Sequence, residues 1–156
     1  MTHNNKKMDA KMATSLVSET VYKFANGVPG FPSLTDFYIR DLRDGSFPPL
    51  KIMVSVDNPS ISFILYPHIK EGSLFDEETL YSFARTYDRP QNDVDVYSVV
   101  TVHQPGGDIH LTTNLKAPII LDRADHKGWQ HIIPSHSADM AFPLDCLSER
   151  FQGKSS

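Results

Sequence analysis

The segment of residues 24–32 constrains the fold of this chain more than any other stretch. It contains two glycines, two prolines and two phenylalanines within nine residues. Glycine allows positive φ angles and proline fixes φ near about −65°, so the segment predicts a rigid, sharply bent connector. The order of Pro29 and Gly30 suits a type II turn with these two residues at its centre. Phe24 and Phe31 flank the bend, and we expect at least one of them to pack against the core.

Short strand patterns, separated by turns that contain Pro, Gly, Asp or Asn, follow this connector. Apolar and polar residues alternate over residues 50–56, which is typical of a strand with one buried face. A nearly continuous apolar run at 61–66 and a valine-rich run at 94–102 are typical of central strands. The apolar face of 50–56 consists of Leu50, Ile52, Val54 and Val56. Further strands are predicted at residues 19–24, 36–42, 110–115, 118–121 and 129–133.

One short helix is predicted after the fourth of these strands. Ser73 followed by Asp76 indicates a capping box at its start. Glu77 and Glu78 then lie in the first turn, where carboxylates interact favourably with the helix dipole. We expect the helix to run to about Thr86. Its predicted buried stripe consists of Leu80, Phe83 and Ala84.

The predicted elements indicate a mainly β protein, a small antiparallel β-barrel or sandwich of seven or more strands with one short helix. Closing such a sheet removes exposed strand edges, which favours these architectures. The length of 156 residues suits one domain. We expect a single domain over residues 18–147, preceded by a flexible tail at 1–17 and followed by a disordered tail at 148–156.

Composition excludes several classes of function. The formal net charge is −4, whereas nucleic-acid-binding proteins normally carry a basic surface that neutralises phosphates. One cysteine, Cys146, allows no intramolecular disulfide and no Cys-based zinc site. No apolar run approaches the roughly 20 residues of a membrane span, and no signal peptide precedes the first strand. We therefore expect a cytoplasmic protein that contacts neither nucleic acid nor membrane directly.

Catalytic and metal-binding patterns are also weak. Ser135, His136 and Asp139 supply the residue types of a catalytic triad, but no nucleophile elbow or oxyanion loop surrounds the serine. The seven histidines are scattered, and even His103 and His110, which could face each other across a hairpin, lack a typical metal-ligand spacing. We predict no enzymatic activity, no metal and no cofactor.

Several segments together resemble the FliW flagellar assembly factors. The N-terminal match is Phe-x-x-Gly-Val-Pro-Gly-Phe-Pro at residues 24–32. A long valine-rich strand follows at 93–102, and the most specific match is Thr-Asn-Leu-Lys-Ala-Pro-Ile at 113–119. Gly128 and Gln130 then match the family just before the last predicted strand. The resemblance covers roughly residues 20–144.

The resemblance implies a non-enzymatic, cytoplasmic, FliW-like β-barrel that acts by binding proteins. Members of the family bind newly made flagellin and also bind CsrA, an RNA-binding repressor of flagellin translation. Binding CsrA relieves the repression, and accumulating flagellin displaces CsrA, so the two contacts form a partner switch. The excess of acidic over basic residues suits a basic RNA-binding partner. We expect the protein to be a monomer.

Four residues of the matching motifs are candidate partner-binding residues: Phe31, Asn114, Leu115 and Pro118. Each also has a structural interpretation, because turn and bulge residues are often fixed by the backbone. Two regions depart from the family pattern, namely residues 68–72 and the pair His136 and Ser137. We expect these differences to affect which partner binds, and how tightly, more than they affect the fold.

Two alternative functions remain open at this stage. A small β-barrel could bind a flavin or another small ligand, which requires a phosphate-binding cluster on adjacent strands, whereas only the isolated Arg40 and Arg85 are found. A barrel that binds single-stranded nucleic acid requires basic residues interleaved with aromatic ones. The negative net charge argues against the second alternative.

Overall fold

The computed structural model describes residues 20–42, 49–69, 71–134 and 139–144 of the chain. Both predicted tails lie outside these residues, as do Cys146, Ser135 and the departing pair His136 and Ser137. The strands are β1 Thr20–Lys23, β2 Asp36–Asp41, β3 Lys51–Ser55, β4 Ser62–Pro67, β5 Val94–His103, β6 His110–Thr113, β7 Ile119–Asp122, β8 Lys127–Gln130 and β9 Phe142–Pro143. Helix α1 spans Glu77–Thr86, and two single 3₁₀ turns span Gln91–Asp93 and Pro105–Gly107.

Seven of these strands close into a barrel. The hydrogen-bonded order is β4, β3, β2, β1, β8, β7 and β5, and β5 pairs back with β4 to complete the ring. All of these pairings are antiparallel except β1 with β8, which pair in parallel at Lys23 and Lys127. Strands β6 and β9 extend the sheet beyond the ring from the second half of β5. Within the described residues, the prediction of a mainly β fold with one short helix is confirmed, and the architecture is a barrel.

Three apolar clusters hold the barrel and its additions together. The main cluster fills the barrel interior and includes Phe24, Phe37, Met53, Leu65 and Leu121. The second cluster joins the outer face of β4 and β5 to β6 and the segment after β9, through residues Leu50, Tyr66, Val100, Leu111 and Leu144. The third places helix α1 on the outer face of β5 and β7, with Phe83 against Val96 and Ile120.

The burial predicted for strand β3 is wrong in one respect. Met53 and Ser55, which belong to the face predicted to be exposed, are fully buried, whereas Val56 is 43% exposed. The side chains of Met53 and Ser55 on β3 therefore point into the barrel interior. Leu50 is nonetheless buried, because the second cluster covers the outer face of the barrel there. Alternation alone does not show which face is interior when both faces are partly covered.

Helix α1 ends at Thr86 as predicted, but its N-cap differs from the prediction. Asp76 is the N-cap residue, and its Oδ1 accepts a hydrogen bond from the backbone N–H of Thr79 over 2.8 Å. The hydroxyl of Ser73 instead bonds to the backbone of Phe75. Asp is as good an N-cap residue as Ser, so the sequence pattern does not choose between them.

Two predictions about the last strands also differ from the structure. Strand β8 spans Lys127–Gln130, two residues earlier than the predicted start at 129. Strand β9, Phe142–Pro143, was not predicted, because two residues carry no periodic pattern.

Candidate functional site

The connector at residues 24–34 consists of consecutive backbone turns. The N–H of Gly27 donates to the carbonyl of Phe24 over 2.9 Å, and the N–H of Phe31 donates to the carbonyl of Val28 over 2.8 Å. Gly30 has a φ of 91°, as the third residue of a type II turn requires. The predicted turn with Pro29 and Gly30 at its centre is therefore confirmed.

Position 27 requires glycine for two reasons, its backbone conformation and the lack of space for a side chain. Its φ is 65°, which side chains other than that of glycine adopt at a cost. A Cβ atom at this position would lie 2.5 Å from the carbonyl oxygen of Phe31 and 2.7 Å from backbone atoms of Pro32. The connector can thus fold back on itself only with glycine here.

The connector is attached to the barrel by Phe24, as expected. Phe24 is 1% exposed, and its ring packs edge-on against that of Phe37 with centroids 5.4 Å apart. Its ring also occupies the space beside Gly128, where a Cβ atom would lie 2.6 Å from Cε1 of Phe24. Phe31 is half-buried and meets the ring of Phe63 at 6.2 Å. The family-like glycine at 128 therefore makes room for the phenylalanine at 24.

The second motif forms the turn between β6 and β7. The backbone N–H of Asn114 donates to the carbonyl of Val99 over 3.0 Å, and Oδ1 of Asn114 accepts from the N–H of Lys116 over 3.0 Å. Such an Asx turn fixes the local backbone.

Leu115 is buried and its N–H donates to the carbonyl of Asp139 over 2.8 Å. Pro118 is fully buried, so Leu115 and Pro118 position this segment and present little surface to a partner.

The two motifs meet at one end of the barrel, in a cleft that we call the mouth cleft. It encloses about 540 Å³, including the open space at its entrance. Its residues are Val28, Pro29, Met53, Phe63, Val99, Thr101, Asn114, Ile119, Gln130 and Met140. Of the four candidate partner-binding residues, Asn114 lines this cleft directly. Phe31 does not line the cleft, but its ring contacts that of Phe63, which does.

Several residues of the mouth cleft were not singled out from the sequence. Gln130 was noted only as a motif position, and its Nε2 donates to the carbonyl of Ala117 over 3.1 Å. Met140 is 65% exposed, the largest exposure among the large apolar side chains of the described residues. It lies in a stretch without periodicity, so its exposure is visible only in the folded chain.

A serine–histidine pair in the described residues has the spacing of an activated nucleophile but the wrong proton arrangement. His68 Nε2 lies 2.9 Å from Ser98 Oγ. Ser98 Oγ in turn lies 2.6 Å from Thr113 Oγ1, and Thr113 donates its hydroxyl proton to the carbonyl of Val99. Thr113 must therefore accept from Ser98, and Ser98 from the N–H of His68. His68 donates a hydrogen bond to the serine hydroxyl, whereas a general base would accept one from it.

Burial reinforces this conclusion. Nδ1 of His68 accepts from the backbone N–H of Leu74 over 3.1 Å, so both ring nitrogens are committed. Burial disfavours the charged imidazolium and lowers the pKa of His68 to about 3. Ser98 is fully buried and cannot meet a substrate in this conformation. The pair connects the segment after β4 to β5 and β6.

The mouth cleft and its surroundings offer no pattern for a metal or a phosphate. Across residues 20–42, 49–69, 71–134 and 139–144, no group of three or more His, Cys, Asp or Glu side chains could hold a metal ion. His103 and His110 do lie opposite each other, as predicted, but His103 Nε2 pairs with Thr112 Oγ1. Arg40 stacks over Tyr38, and Arg85 pairs with Glu78, so these two arginines do not meet at a common site.

Comparison with known proteins places the chain in a family. The family model described as FliW protein matches residues 7–144. The chain belongs to the FliW family. The flagellar assembly factor FliW of Caldanaerobacter subterraneus subsp. tengcongensis is 31% identical over 129 residues, which cover 81% of this chain and 83% of that protein. The flagellar assembly factor FliW of Geobacillus kaustophilus is 32% identical over 120 residues, covering 72% and 76% of the two chains.

A solved structure agrees with this FliW assignment. The crystal structure of a flagellar assembly factor FliW superposes on this FliW-family chain with a TM-score of 0.60 and 26% sequence identity. The match covers 80% of this chain and 85% of the other. In the described part of the chain, no helix is long and apolar enough to cross a membrane.

Proposed function

We propose that this FliW-family chain acts in flagellar assembly by binding two proteins in turn, flagellin and the RNA-binding repressor CsrA. Binding CsrA relieves the repression of flagellin translation, and newly made flagellin displaces CsrA, so that translation follows the supply of unsecreted flagellin. Family membership supports the role in flagellar assembly. The protein acts without catalysis, as a monomer in the cytoplasm, with residues 18–147 as its domain.

One observation carries the proposal. The two segments that resemble the family most closely are distant in sequence, yet they form neighbouring walls of the mouth cleft through Val28, Pro29 and Asn114. A β-barrel with a cleft at one end is a suitable surface for a protein partner, since the barrel holds the lining residues rigidly. The net charge of −4 would favour encounter with a basic RNA-binding protein.

A displacement experiment tests this proposal. The purified chain is mixed with CsrA from the same organism, and complex formation is followed by size-exclusion chromatography with light scattering. Flagellin monomer is then added in increasing amounts. We expect a CsrA complex that loses CsrA as flagellin binds. If neither protein forms a complex, or if both bind together without displacement, the partner switch is wrong.

A flavin-binding barrel is the alternative that the sequence left open, and the structure offers no observation that favours it. Among the described residues that line the mouth cleft, none is an arginine or lysine that could bind a phosphate. Absorbance of the purified protein between about 370 and 450 nm would nevertheless identify a bound flavin directly.

A further inference from the structure

The floor of the mouth cleft belongs to the barrel core. Met53, Phe63, Val99 and Ile119 line the cleft and are also members of the main apolar cluster or packed against it. Met53 and Ile119 are fully buried, whereas Phe63 and Val99 are only partly buried, so apolar surface next to the core is accessible at this end of the barrel. An apolar side chain that enters the cleft would contact the core itself and would gain the free energy of apolar burial.

Those residues of the cleft that the structure describes carry no formal charge. None of its ten lining residues is Asp, Glu, Lys, Arg or His, although 34 Lys, Arg, Asp and Glu residues occur in the whole chain, 15 basic and 19 acidic. A charged group that entered would lose hydration without gaining an opposite charge, which is unfavourable. The part of a partner that enters the cleft must therefore be uncharged.

Two side-chain amides at the rim are left with unused hydrogen-bonding groups. Asn114 uses Oδ1 to accept from Lys116, and Gln130 uses Nε2 to donate to Ala117. Among the described residues, Asn114 Nδ2 and Gln130 Oε1 have no hydrogen-bond partner. One remaining donor and one remaining acceptor match the carbonyl and N–H of a peptide group. Met140 lies at the same cleft, 65% exposed, with a flexible thioether that adapts to different apolar surfaces.

We propose that the mouth cleft binds a short, uncharged peptide segment of a protein partner. One apolar side chain of that segment enters between Val28, Phe63 and Val99. A backbone carbonyl of the segment accepts from Asn114 Nδ2, and one of its backbone N–H groups donates to Gln130 Oε1. This inference rests on the proposed function, because it treats the partner as a protein, and it adds the chemistry by which that partner is recognised.

The test uses blocked dipeptides as probes and NMR of the full chain, with ¹⁵N and methionine-methyl labels. The probe is N-acetyl-leucyl-leucine N-methylamide, and the matched probes carry two lysines or two glutamates instead. We expect the leucine probe to shift the side-chain amide signals of Asn114 and Gln130 and the methyl signal of Met140 saturably. Absence of these shifts at millimolar probe, or equal shifts with a charged probe, would overturn the inference.

Two variants and a control extend the test. Asn114→Asp keeps the oxygen that bonds to Lys116 but replaces the free donor by a negative charge, and Met140→Glu places a charge at an exposed position. Each should weaken binding of the leucine probe about tenfold or more. Ile69→Glu introduces the same charge at a residue that is 44% exposed and lies outside the cleft, and it should leave the affinity unchanged.

The outcomes separate this inference from the proposed function. If flagellin and CsrA fail to bind but the leucine probe binds as expected, the proposed partners are wrong and the chemistry of the cleft stands. If flagellin or CsrA binds with the same affinity to wild type, Asn114→Asp and Met140→Glu, the partners are right and the mouth cleft is not where they bind.

Discussion

At the scale of single residues, His68 shows how a polar group can stabilise the inside of this protein. Its two ring nitrogens bond to Leu74 and Ser98, and the chain of hydroxyls continues to Thr113. A buried imidazole with both nitrogens bonded is stable only while it is neutral. The network joins the segment after β4 to strands β5 and β6.

His68 makes stability depend on pH. Its pKa in the folded protein is about 3, below the ordinary value of about 6.5. The stabilisation is therefore fully present above pH 6.5 and is lost as the pH falls towards 3, because the unfolded chain binds the proton more readily. Between pH 7 and pH 5 we expect a loss of about 2 kcal/mol from this residue. Burial also lowers the pKa of His131, which contributes in the same direction.

Urea unfolding at pH 7 and pH 5 checks this prediction, with His68→Gln as the control. Glutamine offers one acceptor and one donor group but does not titrate. The free energy of unfolding of the variant should fall by less than that of the wild type over the same interval. Equal losses in the two proteins would show that His68 does not carry the pH dependence.

The glycines of the connector give a matched pair of substitutions. Gly27→Ala combines a positive φ with overlap of the new Cβ with the carbonyl oxygen of Phe31, whereas Gly30→Ala has a positive φ and nothing within 4 Å. We expect Gly30→Ala to cost about 1 kcal/mol and Gly27→Ala at least about 2 kcal/mol more. Thermal and urea unfolding of the two variants measure both losses in the free energy of unfolding. A cost for Gly27→Ala that does not exceed that of Gly30→Ala would mean that the backbone overlap is relieved easily.

At the scale of elements, helix α1 ends in a Schellman motif that lacks the usual glycine. The N–H of Asp88 donates to the carbonyl of Arg85 over 3.1 Å, and the N–H of Arg89 donates to the carbonyl of Ala84 over 3.0 Å. Asp88, which follows the C-cap residue Tyr87, has a φ of 54°. The motif is therefore complete in its hydrogen bonds but strained at one residue.

Relieving this strain should stabilise the protein. Asp88→Gly is expected to raise the free energy of unfolding by about 0.5–1 kcal/mol, because glycine adopts positive φ without a clash. Asp88→Ala should give no such gain, since alanine tolerates this conformation poorly. Urea unfolding of the three proteins distinguishes these cases. Equal stability of the glycine and alanine variants would exclude backbone strain as the cause.

The sequence predicts elements of this protein better than it predicts how they assemble. The strands and the helix follow local patterns, and the turn at Pro29 and Gly30 follows from the conformational limits of two residue types. The pairing of β4 with β5, and of β1 with β8, joins residues far apart in the chain, so no local pattern chooses barrel over sandwich. The burial of Met53 and Ser55 was missed for the same reason, because the residues that cover them are distant in the sequence.

In the candidate site, too, the sequence predicted single motifs but not how they come together. Asn114 and the connector were identified as motif residues, but their meeting at one barrel end depends on the closure of the sheet. Leu115 and Pro118 lie buried within that arrangement. Met140 has no sequence signal at all, because a lone methionine in an irregular stretch is as readily buried as exposed.

At the scale of the whole molecule, the barrel closes through a narrow parallel contact. Strands β1 and β8 pair at a single position, Lys23 with Lys127, supported by the bond from Lys23 N–H to the carbonyl of His126. The ring of Phe24 packs over Gly128 beside this contact. Side-chain packing therefore supplements the few hydrogen bonds that hold the seam of the barrel.

Filling the space at Gly128 should weaken the closure. Gly128→Ala is expected to cost about 1–3 kcal/mol, because its Cβ would overlap the buried ring of Phe24. Phe24→Leu makes room for that Cβ, so the double variant should be more stable than the sum of the two single losses indicates. Additive losses in this double-mutant cycle would show that the two residues do not share the space.

If a protein partner binds at the mouth cleft, a substitution inside the cleft must weaken binding and a substitution outside it must not. Isothermal titration calorimetry measures the affinity of flagellin from the same organism for the wild-type chain, Asn114→Asp and Ile69→Glu, with their unfolding temperatures as a check of folding. We expect flagellin to bind wild type and Ile69→Glu equally and Asn114→Asp at least about tenfold more weakly, at an unchanged unfolding temperature. Equal binding of flagellin to all three proteins, or no binding to the wild type, would contradict this expectation.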